Sequence, residues 1–294
     1  MGPTYRGTLV RLSGSLVLFH NDPNLYGQAI QSFLNGCDGL LYIVDNSSMP
    51  LEHVLFCHPR VRYIFLDRNL GFGAAHNQAI SLAGVESDLH LILNPDISFG
   101  IDVISHLLSV MQSTPEIGAL MPRVNYPDGS LQRLCKLLPT PIDLILRRFI
   151  PIKSVQVEIN HRYELHNLRQ DKLVDVPTIS GCFMMVRTNI LRKIGGFDER
   201  YFMYLEDVDL VRRIGLTNRV VYDPRVSVTH EYAKGSYRNK KLLGYHMMSA
   251  FRYFTKWGWW FDSYRRYKNS TVILYLQKIL YDESIRSSFD IESE

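Results

Sequence analysis

Through its first 114 residues, the chain alternates short apolar runs with segments that have helical spacing. Four runs are apolar nearly throughout, which predicts buried strands at Ser15–Phe19, Leu40–Val44, Arg62–Leu66 and Leu89–Leu93. Two of the segments between them, NLYGQAIQSFLNG and AAHNQAISLAG, repeat apolar residues at the spacing of a helix, and Gly36 ends the first. Strands and helices that alternate in this way predict a parallel sheet covered by helices on both faces.

Composition narrows the class of protein. A chain of 294 residues with 46% hydrophobic content can bury a large core. Its four cysteines lie far apart without a CxxC pair, which indicates neither a disulfide framework nor a zinc site and fits a reducing compartment. No apolar run approaches the roughly 18 residues of a membrane span, and the N-terminus lacks the layout of a signal peptide. We therefore expect a cytoplasmic protein, or one that is peripheral on the inner face of the cytoplasmic membrane.

Polar, mostly acidic loops follow three of the predicted strands: Asp45-Asn46-Ser47-Ser48, the segment Asp67–Gly73, and Asn94-Pro95-Asp96. Any one of them could be only a turn, because Asn, Asp and Pro favour turns. Three loops at the carboxyl edge of one sheet, where ligands collect, predict a binding site. One carboxylate together with a diphosphate can hold Mg²⁺ or Mn²⁺, whose other ligands are usually waters and phosphates. Asp96 fits that role.

The second half of the chain begins less regularly. Residues 115–175 predict a substrate-side insertion or a closing loop. Order returns at Val176, with a strand in TISGCFMMVR, helices in TNILRKIGG and EDVDLVRRIG, and a β-type run that ends at His230. Glu206 and Asp207 begin the second of these helices, where the helix dipole favours acids, but the glycines and aromatic residues before them indicate a pocket wall. His230 is either a structural residue or a nitrogen ligand, which Mn²⁺ tolerates better than Mg²⁺.

Six motifs carry these residues: VDNSS at Val44–Ser48, DRNLGFGAAHNQAI at Asp67–Ile80, LNPDI at Leu93–Ile97, PDGSLQ at Pro127–Gln132, SGCFMMVR at Ser180–Arg187 and GGFDERYFMYLEDVDLVRRI at Gly195–Ile214. In this order and at these separations, they resemble the family 2 inverting glycosyltransferases of the GT-A fold. Within that family they resemble the rhamnosyltransferase-like branch, which builds bacterial surface polysaccharides. The resemblance runs from about Ser15 to His230. It implies a mixed, largely parallel sheet flanked by helices, and a catalytic domain over residues 1–235.

The resemblance also implies how the donor is bound. Asp45 matches the acid that accepts the N3 proton of a uracil or thymine base. Asn69, Gly71 and Gly73 resemble the segment that lies close to the nucleotide and the diphosphate. Asp96 matches the last acid of the metal-binding DxD motif. Asn94 stands in place of the first acid of that motif, and we expect it to contact the donor as well.

The remaining matches concern the reaction. Asp207 matches the general base that takes the proton of the acceptor hydroxyl, and Glu206 beside it would raise the proton affinity of the pair. His230 matches a further metal ligand of some relatives. The resemblance implies transfer of a sugar, with L-rhamnose from dTDP-L-rhamnose favoured and a dTDP- or UDP-sugar in general. The acceptor would be a lipid-linked saccharide of bacterial surface polysaccharide or lipopolysaccharide synthesis. A divalent metal, Mg²⁺ or Mn²⁺, would act as Lewis acid for the departing diphosphate.

Beyond the resemblance, residues 236–294 predict a helical extension. Residues 233–270 hold nine Lys or Arg against the single acid Asp262, together with all three tryptophans. An apolar stripe runs along this segment, which predicts a helix packed on the catalytic domain; its members are Leu243, Met247, Ala250, Phe254 and Trp257. The other face of residues 240–270 would rest on a membrane beside the lipid-linked acceptor. The aromatic and basic residues assigned to that face are Trp257, Trp259, Trp260, Phe261, Lys256, Arg265, Arg266 and Lys268.

Other functions use similar residues. A nucleotidyltransferase also needs a nucleotide, a metal and acids at strand ends, but it is expected to carry a basic Gly-rich loop where this chain has HNDPN at His20–Asn24. A non-catalytic nucleotide-sugar-binding or scaffold protein of the same fold would not need the carboxylate of Asp207. A glycoside hydrolase pairs two acids, but it does not need three strand-end loops that suit a nucleotide. Nucleic-acid binding would use a basic and aromatic surface, yet nothing in the first 230 residues favours it.

Overall fold

The computed structural model describes residues 10–83, 86–145, 150, 152–231 and 240–291. Within these ranges, nine strands form one mixed sheet. The first four strands are β1 (Leu12–Leu18), β2 (Leu40–Asp45), β3 (Val61–Phe65) and β4 (Leu89–Leu93). They lie side by side in the order β3-β2-β1-β4, and all of their pairings are parallel. The parallel sheet predicted for this half of the chain is confirmed.

Five further strands complete the sheet: β5 (Ile97–Phe99), β6 (Ile117–Asn125), β7 (Val174–Asp175), β8 (Phe183–Arg187) and β9 (Arg219–His230). Beyond β4 the order is β8, β6, β9 and β5, and β7 pairs with β9. Strand β8 runs antiparallel to both of its neighbours, whereas β6 and β9 are parallel to each other. Because β8 is inverted, its amino end lies at the same edge as the carboxyl ends of β1, β4, β6 and β9.

The prediction of an irregular segment over residues 115–175 is wrong for its first part. Ile117–Asn125 forms β6, an interior strand that lies between β8 and β9. Pro122 interrupts the strand pattern in the sequence, and the pairing of β6 with β9 shifts register between Pro122 and Arg123. That irregularity accommodates a residue without a backbone N–H inside a sheet. A role for the remainder of the segment as an insertion or closing loop stays a prediction.

Helices cover both faces of the sheet. The first three are α1 (Pro23–Gly36), α2 (Phe72–Ala83) and α3 (Asp102–Ser113). Leu16 and Leu18 of β1 belong to the large buried cluster that contains α1, whereas Val17 belongs to a second cluster with Ala75 and Ala79 of α2. Since successive side chains of a strand point to opposite faces, α1 and α2 lie on opposite sides of the sheet.

Six helices follow: α4 (Pro141–Leu144), α5 (Lys153–Tyr163), α6 (Thr188–Ile194), α7 (Glu206–Ile214), α8 (Lys240–Trp257) and α9 (Ser263–Ile291). The helices predicted in TNILRKIGG, in EDVDLVRRIG and over the apolar stripe are confirmed as α6, α7 and α8. Of the stripe, Ala250 and Phe254 are fully buried, while Leu243 and Met247 remain exposed at 40% and 37%. The expected domain boundary at residue 235 lies outside the described residues, and the division there stays a prediction.

Two residues expected on the membrane-facing surface, Lys256 and Arg265, are instead held in ion pairs within the fold. Lys256 Nζ lies 2.8 Å from Asp198 Oδ2 and 2.7 Å from Asp209 Oδ1. Arg265 is buried, and its guanidinium lies 3.9 Å from Asp262 Oδ2. The expectation for Lys256 and Arg265 is therefore wrong, because Lys256 pairs with two acids outside the C-terminal segment and Arg265 is buried beside Asp262. None of the helices in the described ranges combines the length and the apolar content that a membrane span requires.

Candidate active site

A cleft of about 1010 Å³ opens at the edge of the sheet where the carboxyl ends of the parallel strands meet. Its lining includes Phe19 after β1, Asn46 after β2, Asn94 after β4, Tyr126 after β6 and His230 at the end of β9. The three strand-end loops that the sequence predicts at one edge therefore do converge. Seven residues of the predicted site line this cleft: Asn69, Gly71, Asn94, Asp96, Glu206, Asp207 and His230.

Asp45 is not among the residues that line the cleft. Its side chain is fully buried. Oδ1 accepts the N–H of Ser47 at 2.9 Å, and Oδ2 accepts the N–H of Leu51 at 2.8 Å and the hydroxyl of Tyr63 at 2.6 Å. The structure thus differs from the expectation, because the carboxylate holds the loop after β2 in place while the next residue, Asn46, reaches the cleft. A contact between Asp45 and the base stays a prediction that this position does not favour.

The two predicted glycines have different surroundings. Gly71 has a φ of +86°, and a Cβ there would lie 2.1 Å from the carbonyl oxygen of Phe202. The N–H of Phe72 donates to that same oxygen at 3.0 Å. Only glycine fits such a contact, which joins the loop after β3 to the segment before α7. Gly73 lies inside α2 against Phe197, where a Cβ would meet Phe197 Cβ at 2.9 Å, and it does not line the cleft.

Asp96 and His230 are brought together by backbone pairing. Strands β5 and β9 are antiparallel with Ile97 opposite His230, and the N–H of Glu231 donates to the carbonyl of Asp96 at 2.9 Å. As a result, His230 Nε2 lies 3.2 Å from Asp96 Oδ1. Among the described residues, no hydrogen bond of good geometry reaches the buried Asp96 Oδ1.

This pair fits a divalent cation. Two neighbouring ligands of an octahedral ion, each about 2.1 Å from it, lie about 3 Å apart. The separation of 3.2 Å between Asp96 Oδ1 and His230 Nε2 is close to that value. Within the described residues, no group of three His, Cys, Asp or Glu could hold a metal unaided. Of the described residues, Asp96 and His230 would supply two ligands, and substrate oxygens and waters are common further ligands of such an ion.

Glu206 and Asp207 begin α7 after an unusual stretch of backbone, in which Tyr204 and Leu205 have φ of 70° and 64°. Asp207 Oδ2 accepts the N–H of Gly181 at 3.0 Å, and Oδ1 accepts the N–H of Val208 at 2.8 Å. Glu206 is buried, and within the part of the chain that the structure describes its Oε2 has no hydrogen-bond partner. The two neighbouring acids therefore occupy different environments.

These environments indicate which of the two acids carries the negative charge. Burial raises the pKa of Glu206 well above its usual range, and the charge of Asp207 raises it further. Burial also raises the pKa of Asp207, but the two backbone N–H groups and the charge of Lys136 oppose that rise. Asp207 is therefore the better carrier of negative charge, whereas Glu206 retains its proton to higher pH.

The thiol of Cys182 lies within electrostatic reach of both Asp96 and Asp207. Burial is the main cause that raises the pKa of its thiol to about 12, and the charges of Asp96 and Asp207 both contribute. Cys182 itself lines the cleft. The candidate metal pair and the candidate base thus lie around one buried thiol at the start of β8.

A family model described as "Glycosyl transferase family 2" matches residues 16–195 of the chain. The chain belongs to glycosyl transferase family 2. It is 32% identical over 224 residues to the N-acetylglucosaminyl-diphospho-decaprenol L-rhamnosyltransferase of Mycobacterium tuberculosis, covering 69% of this chain and 70% of that protein. It is 29% identical over 196 residues to the rhamnosyltransferase WbbL of Escherichia coli K12, covering 63% of this chain and 71% of WbbL. The predicted family and the predicted enzyme class are confirmed.

Solved structures agree on the fold of this glycosyltransferase. The crystal structure of GalNAc-T7 with UDP, GalNAc and Mn²⁺ superposes with a TM-score of 0.58 at 11% identity, over 82% of this chain and 48% of that one. The mannosyltransferase PcManGT from Pyrobaculum calidifontis, in complex with GDP-Man and Mn²⁺, superposes with a TM-score of 0.51 at 15% identity, over 82% of this chain and 64% of that one. The GT-A fold is confirmed. This chain spans only about half the length of GalNAc-T7.

The cleft of this glycosyltransferase is also lined by polar and charged residues that were not among the predicted site residues, including Asn46, Gln132, Arg133 and Lys136. Asn46 and Gln132 stand inside the VDNSS and PDGSLQ motifs, so the motifs contained a signal for them. Arg133 and Lys136 follow the PDGSLQ motif in a stretch whose sequence has no periodicity. Their place in the cleft depends on the return of the chain after β6.

Glu206→Gln provides a test of the charge assignment. A carboxyl with a raised pKa in the folded state favours folding at low pH and opposes it as the pH rises through the folded value. We expect the wild type to lose stability relative to Glu206→Gln as the pH rises above the ordinary pKa of a glutamate, about 4.3, with about 1.4 kcal/mol for each tenfold change in proton affinity. Urea unfolding at several pH values measures this difference. Glu52→Gln, at an exposed glutamate, is the control, and parallel pH profiles of Glu206→Gln and wild type would contradict the assignment.

Proposed function

We propose that this glycosyltransferase moves a sugar from a nucleoside diphosphate sugar to a hydroxyl group with inversion of configuration, in a reaction that depends on Mg²⁺ or Mn²⁺. The favoured donor is dTDP-L-rhamnose, and the acceptor is a lipid-linked saccharide of bacterial surface polysaccharide or lipopolysaccharide synthesis. One observation carries the proposal. The Asp96–His230 pair and the Glu206–Asp207 pair line the same cleft.

In the proposed reaction, Asp207 accepts the proton of the acceptor hydroxyl as that oxygen forms a bond to the anomeric carbon. The bond from the anomeric carbon to the diphosphate oxygen breaks, and its electron pair leaves with the nucleoside diphosphate. A divalent ion held by Asp96 and His230 would stabilise the charge on that leaving group. The N–H groups of Gly181 and Val208 keep the carboxylate of Asp207 oriented before the proton arrives. A single displacement of this kind inverts the anomeric centre.

Support for the substrates comes from the relatives and from two cations of the cleft. Both bacterial relatives are named rhamnosyltransferases, and the mycobacterial name specifies an N-acetylglucosaminyl-diphospho-decaprenol acceptor. Arg133 and Lys136 line the cleft, and the charge of Lys136 acts on Asp207, where the acceptor hydroxyl would lie. A cation whose charge is felt at the proposed base suits an acceptor that carries a diphosphate.

The proposed membrane contact is confined to a narrower surface than the sequence predicted. Trp260 and Phe261, in the turn between α8 and α9, are exposed at 59% and 90%, and Met248 and Phe251 are exposed on α8. Arg252 and Arg266, which are close to them in the sequence, are also exposed. We call Met248, Phe251, Trp260 and Phe261 the aromatic surface. Aromatic rings and cations on one surface favour the interface of an anionic bilayer.

The aromatic surface is tested with vesicles that contain phosphatidylglycerol. We expect the double variant Trp260→Ser/Phe261→Ser to bind them at least about tenfold more weakly than the wild type, since each large apolar side chain contributes roughly 1.5–3 kcal/mol when it is buried. Co-sedimentation measures the partition. Val54→Ser removes an equally exposed apolar side chain from another surface and serves as the control. Equal partition of all three proteins would remove the membrane contact from the proposal.

Thermal unfolding with dTDP, UDP, GDP and CDP, each with Mn²⁺ and with EDTA, tests the donor. A ligand at about 100 times its dissociation constant adds roughly 2.7 kcal/mol to the free energy of unfolding. We expect a rise in Tm with dTDP or UDP that requires Mn²⁺ and is lost in Asp96→Asn. NMR analysis of the product then reports whether the anomeric configuration is inverted. No shift with any nucleotide would contradict the proposed donor class, and a retained configuration would contradict the mechanism.

A further inference from the structure

The PDGSLQ motif forms a hairpin at the end of β6. The N–H of Gly129 donates to the carbonyl of Tyr126 at 2.9 Å, and the N–H of Tyr126 donates to the carbonyl of Ser130 at 2.8 Å. Gly129 has a φ of +82°, which is why glycine suits the third position of the motif. The chain reverses, and the N–H of Gln132 donates to the carbonyl of Val124 at 2.8 Å. The turn therefore returns Gln132 to the edge of the sheet where β9 ends.

Gln132 makes two hydrogen bonds with one residue, His230. Its Nε2 donates to the carbonyl oxygen of His230 at 2.8 Å, and its Oε1 lies 2.9 Å from His230 Nδ1. Both side chains are buried, at 4% exposure each. Because a carbonyl oxygen can only accept, the amide must direct its NH₂ group to the backbone and its oxygen to the ring.

This orientation determines the tautomer of His230. An amide oxygen can only accept, so Nδ1 of the ring must carry the hydrogen. In the neutral imidazole, the other nitrogen, Nε2, then has a lone pair. That nitrogen lies 3.2 Å from Asp96 Oδ1. Two lone pairs that face each other at this distance suit a cation between them.

The alternative tautomer of His230 would make the pair unavailable to a metal ion. With its hydrogen on Nε2, His230 could donate directly to Asp96 Oδ1, and the two ligands would satisfy each other instead of a metal. Gln132 opposes this state, because its oxygen would then face the lone pair of Nδ1. We propose that Gln132 is a positioning residue that holds His230 in the Nδ1–H tautomer and so keeps Asp96 and His230 available to a divalent cation. The inference rests on the metal site of the proposed function.

The affinity for Mn²⁺ tests the inference without a measurement of activity. Free Mn²⁺ is followed by electron paramagnetic resonance in titrations of the full chain with saturating dTDP. Partners that orient a metal ligand typically contribute 10–100-fold to metal affinity. We therefore expect Gln132→Leu to bind Mn²⁺ 10–100-fold more weakly than the wild type, with unchanged affinity for dTDP in EDTA. Gln170→Leu is the matched control, because Gln170 makes its hydrogen bonds with Tyr222 and Leu168 and does not line the cleft.

A conservative variant separates the tautomer from simple packing. The carboxylate of Gln132→Glu still accepts from Nδ1–H, although it cannot donate to the carbonyl of His230. We expect this variant to retain Mn²⁺ affinity within a few-fold of the wild type, and nitrogen NMR of His230 to report Nδ1–H in both proteins without metal. The inference would be overturned if Gln132→Leu and Gln132→Glu lost the same amount of Mn²⁺ affinity, or if the wild type showed an Nε2–H signal for His230. The glutamate variant and the NMR measurement also decide the question if Gln132→Leu does not fold.

Two further variants distinguish failure of this inference from failure of the proposed function. Asp96→Asn and His230→Ala remove the proposed ligands themselves. If both weaken Mn²⁺ binding while Gln132→Leu binds as the wild type does, the role of Gln132 is overturned and the metal site stands. If neither weakens it, the metal site is elsewhere, and the proposed function loses its metal site together with this inference.

Discussion

Asp207→Asn is expected to lower the rate of sugar transfer by about 10²–10⁴-fold while the affinity for the donor is retained, because general base catalysis contributes about that much. The amide has the shape of the carboxylate, and its oxygen can still accept the N–H of Gly181, which now lies 3.0 Å from Oδ2. It cannot, however, take a proton from the acceptor hydroxyl. Initial rates at saturating donor and acceptor, with calorimetry for the donor, measure the two quantities separately.

The control for this prediction is Asp171→Asn, which makes the same chemical change at an exposed residue away from the cleft. A transfer rate within threefold of the wild type in Asp207→Asn would show that another group is the base. A large loss of donor affinity would instead assign Asp207 to donor binding. The same experiment addresses the scaffold alternative, since a protein that only binds nucleotide sugars would not depend on the proton affinity of this carboxylate.

The fold could be predicted where the pattern is local. Strands β1 to β4 are short apolar runs, helices α1 and α2 lie in two of the three connections between them, and the parallel arrangement follows from that alternation. Strand β6 could not be found in this way, because Pro122 breaks its pattern and its neighbours β8 and β9 come about 60 and 100 residues later in the chain. Pairing at such separations is set by tertiary packing, which a local pattern does not contain.

In the candidate site, too, local motifs could be read from the sequence whereas contacts between distant residues could not. The motifs identify Asp96 and His230 as candidates, but only the pairing of Ile97 with His230 shows that they form a pair. Asp45 and Asn46 are adjacent, and a difference of one residue decides which side chain lies in the core and which lies in the cleft. Sequence alone does not determine that difference at the end of a strand, where the backbone leaves the regular pleat.

The basic residues of the C-terminal segment illustrate a third limit. Net charge along the sequence indicates an anionic partner, but Lys256 and Arg265 find their acids within the fold. The acids of Lys256 are Asp198 and Asp209, which lie 58 and 47 residues before it in the chain. A count of charges in one window misses such partners, and it overstates the charge that is left for a membrane.

Arg212 of α7 and Asp262 in the turn before α9 form a buried ion pair that ties the C-terminal helices to the helix of Asp207. Arg212 NH1 and NH2 each lie 2.7 Å from an oxygen of Asp262, and both side chains are 3% exposed. The guanidinium also lies 4.2 Å from the ring centroid of Trp257. Asp262 and Trp257 therefore help to hold α7, the helix that carries Asp207, in place.

Asp262→Ala is expected to lower the free energy of unfolding by about 3–5 kcal/mol, because it leaves the buried charge of Arg212 without its partner. Urea unfolding measures the loss. The matched control is Asp175→Ala, which breaks the Arg219–Asp175 pair, also bidentate at 2.9 Å but 44% and 60% exposed. Surface pairs of that kind contribute about 0–1 kcal/mol. If both alanine variants lose the same small amount of stability, the buried pair does not support α7, and the contact of the C-terminal helices with α7 must depend on packing alone.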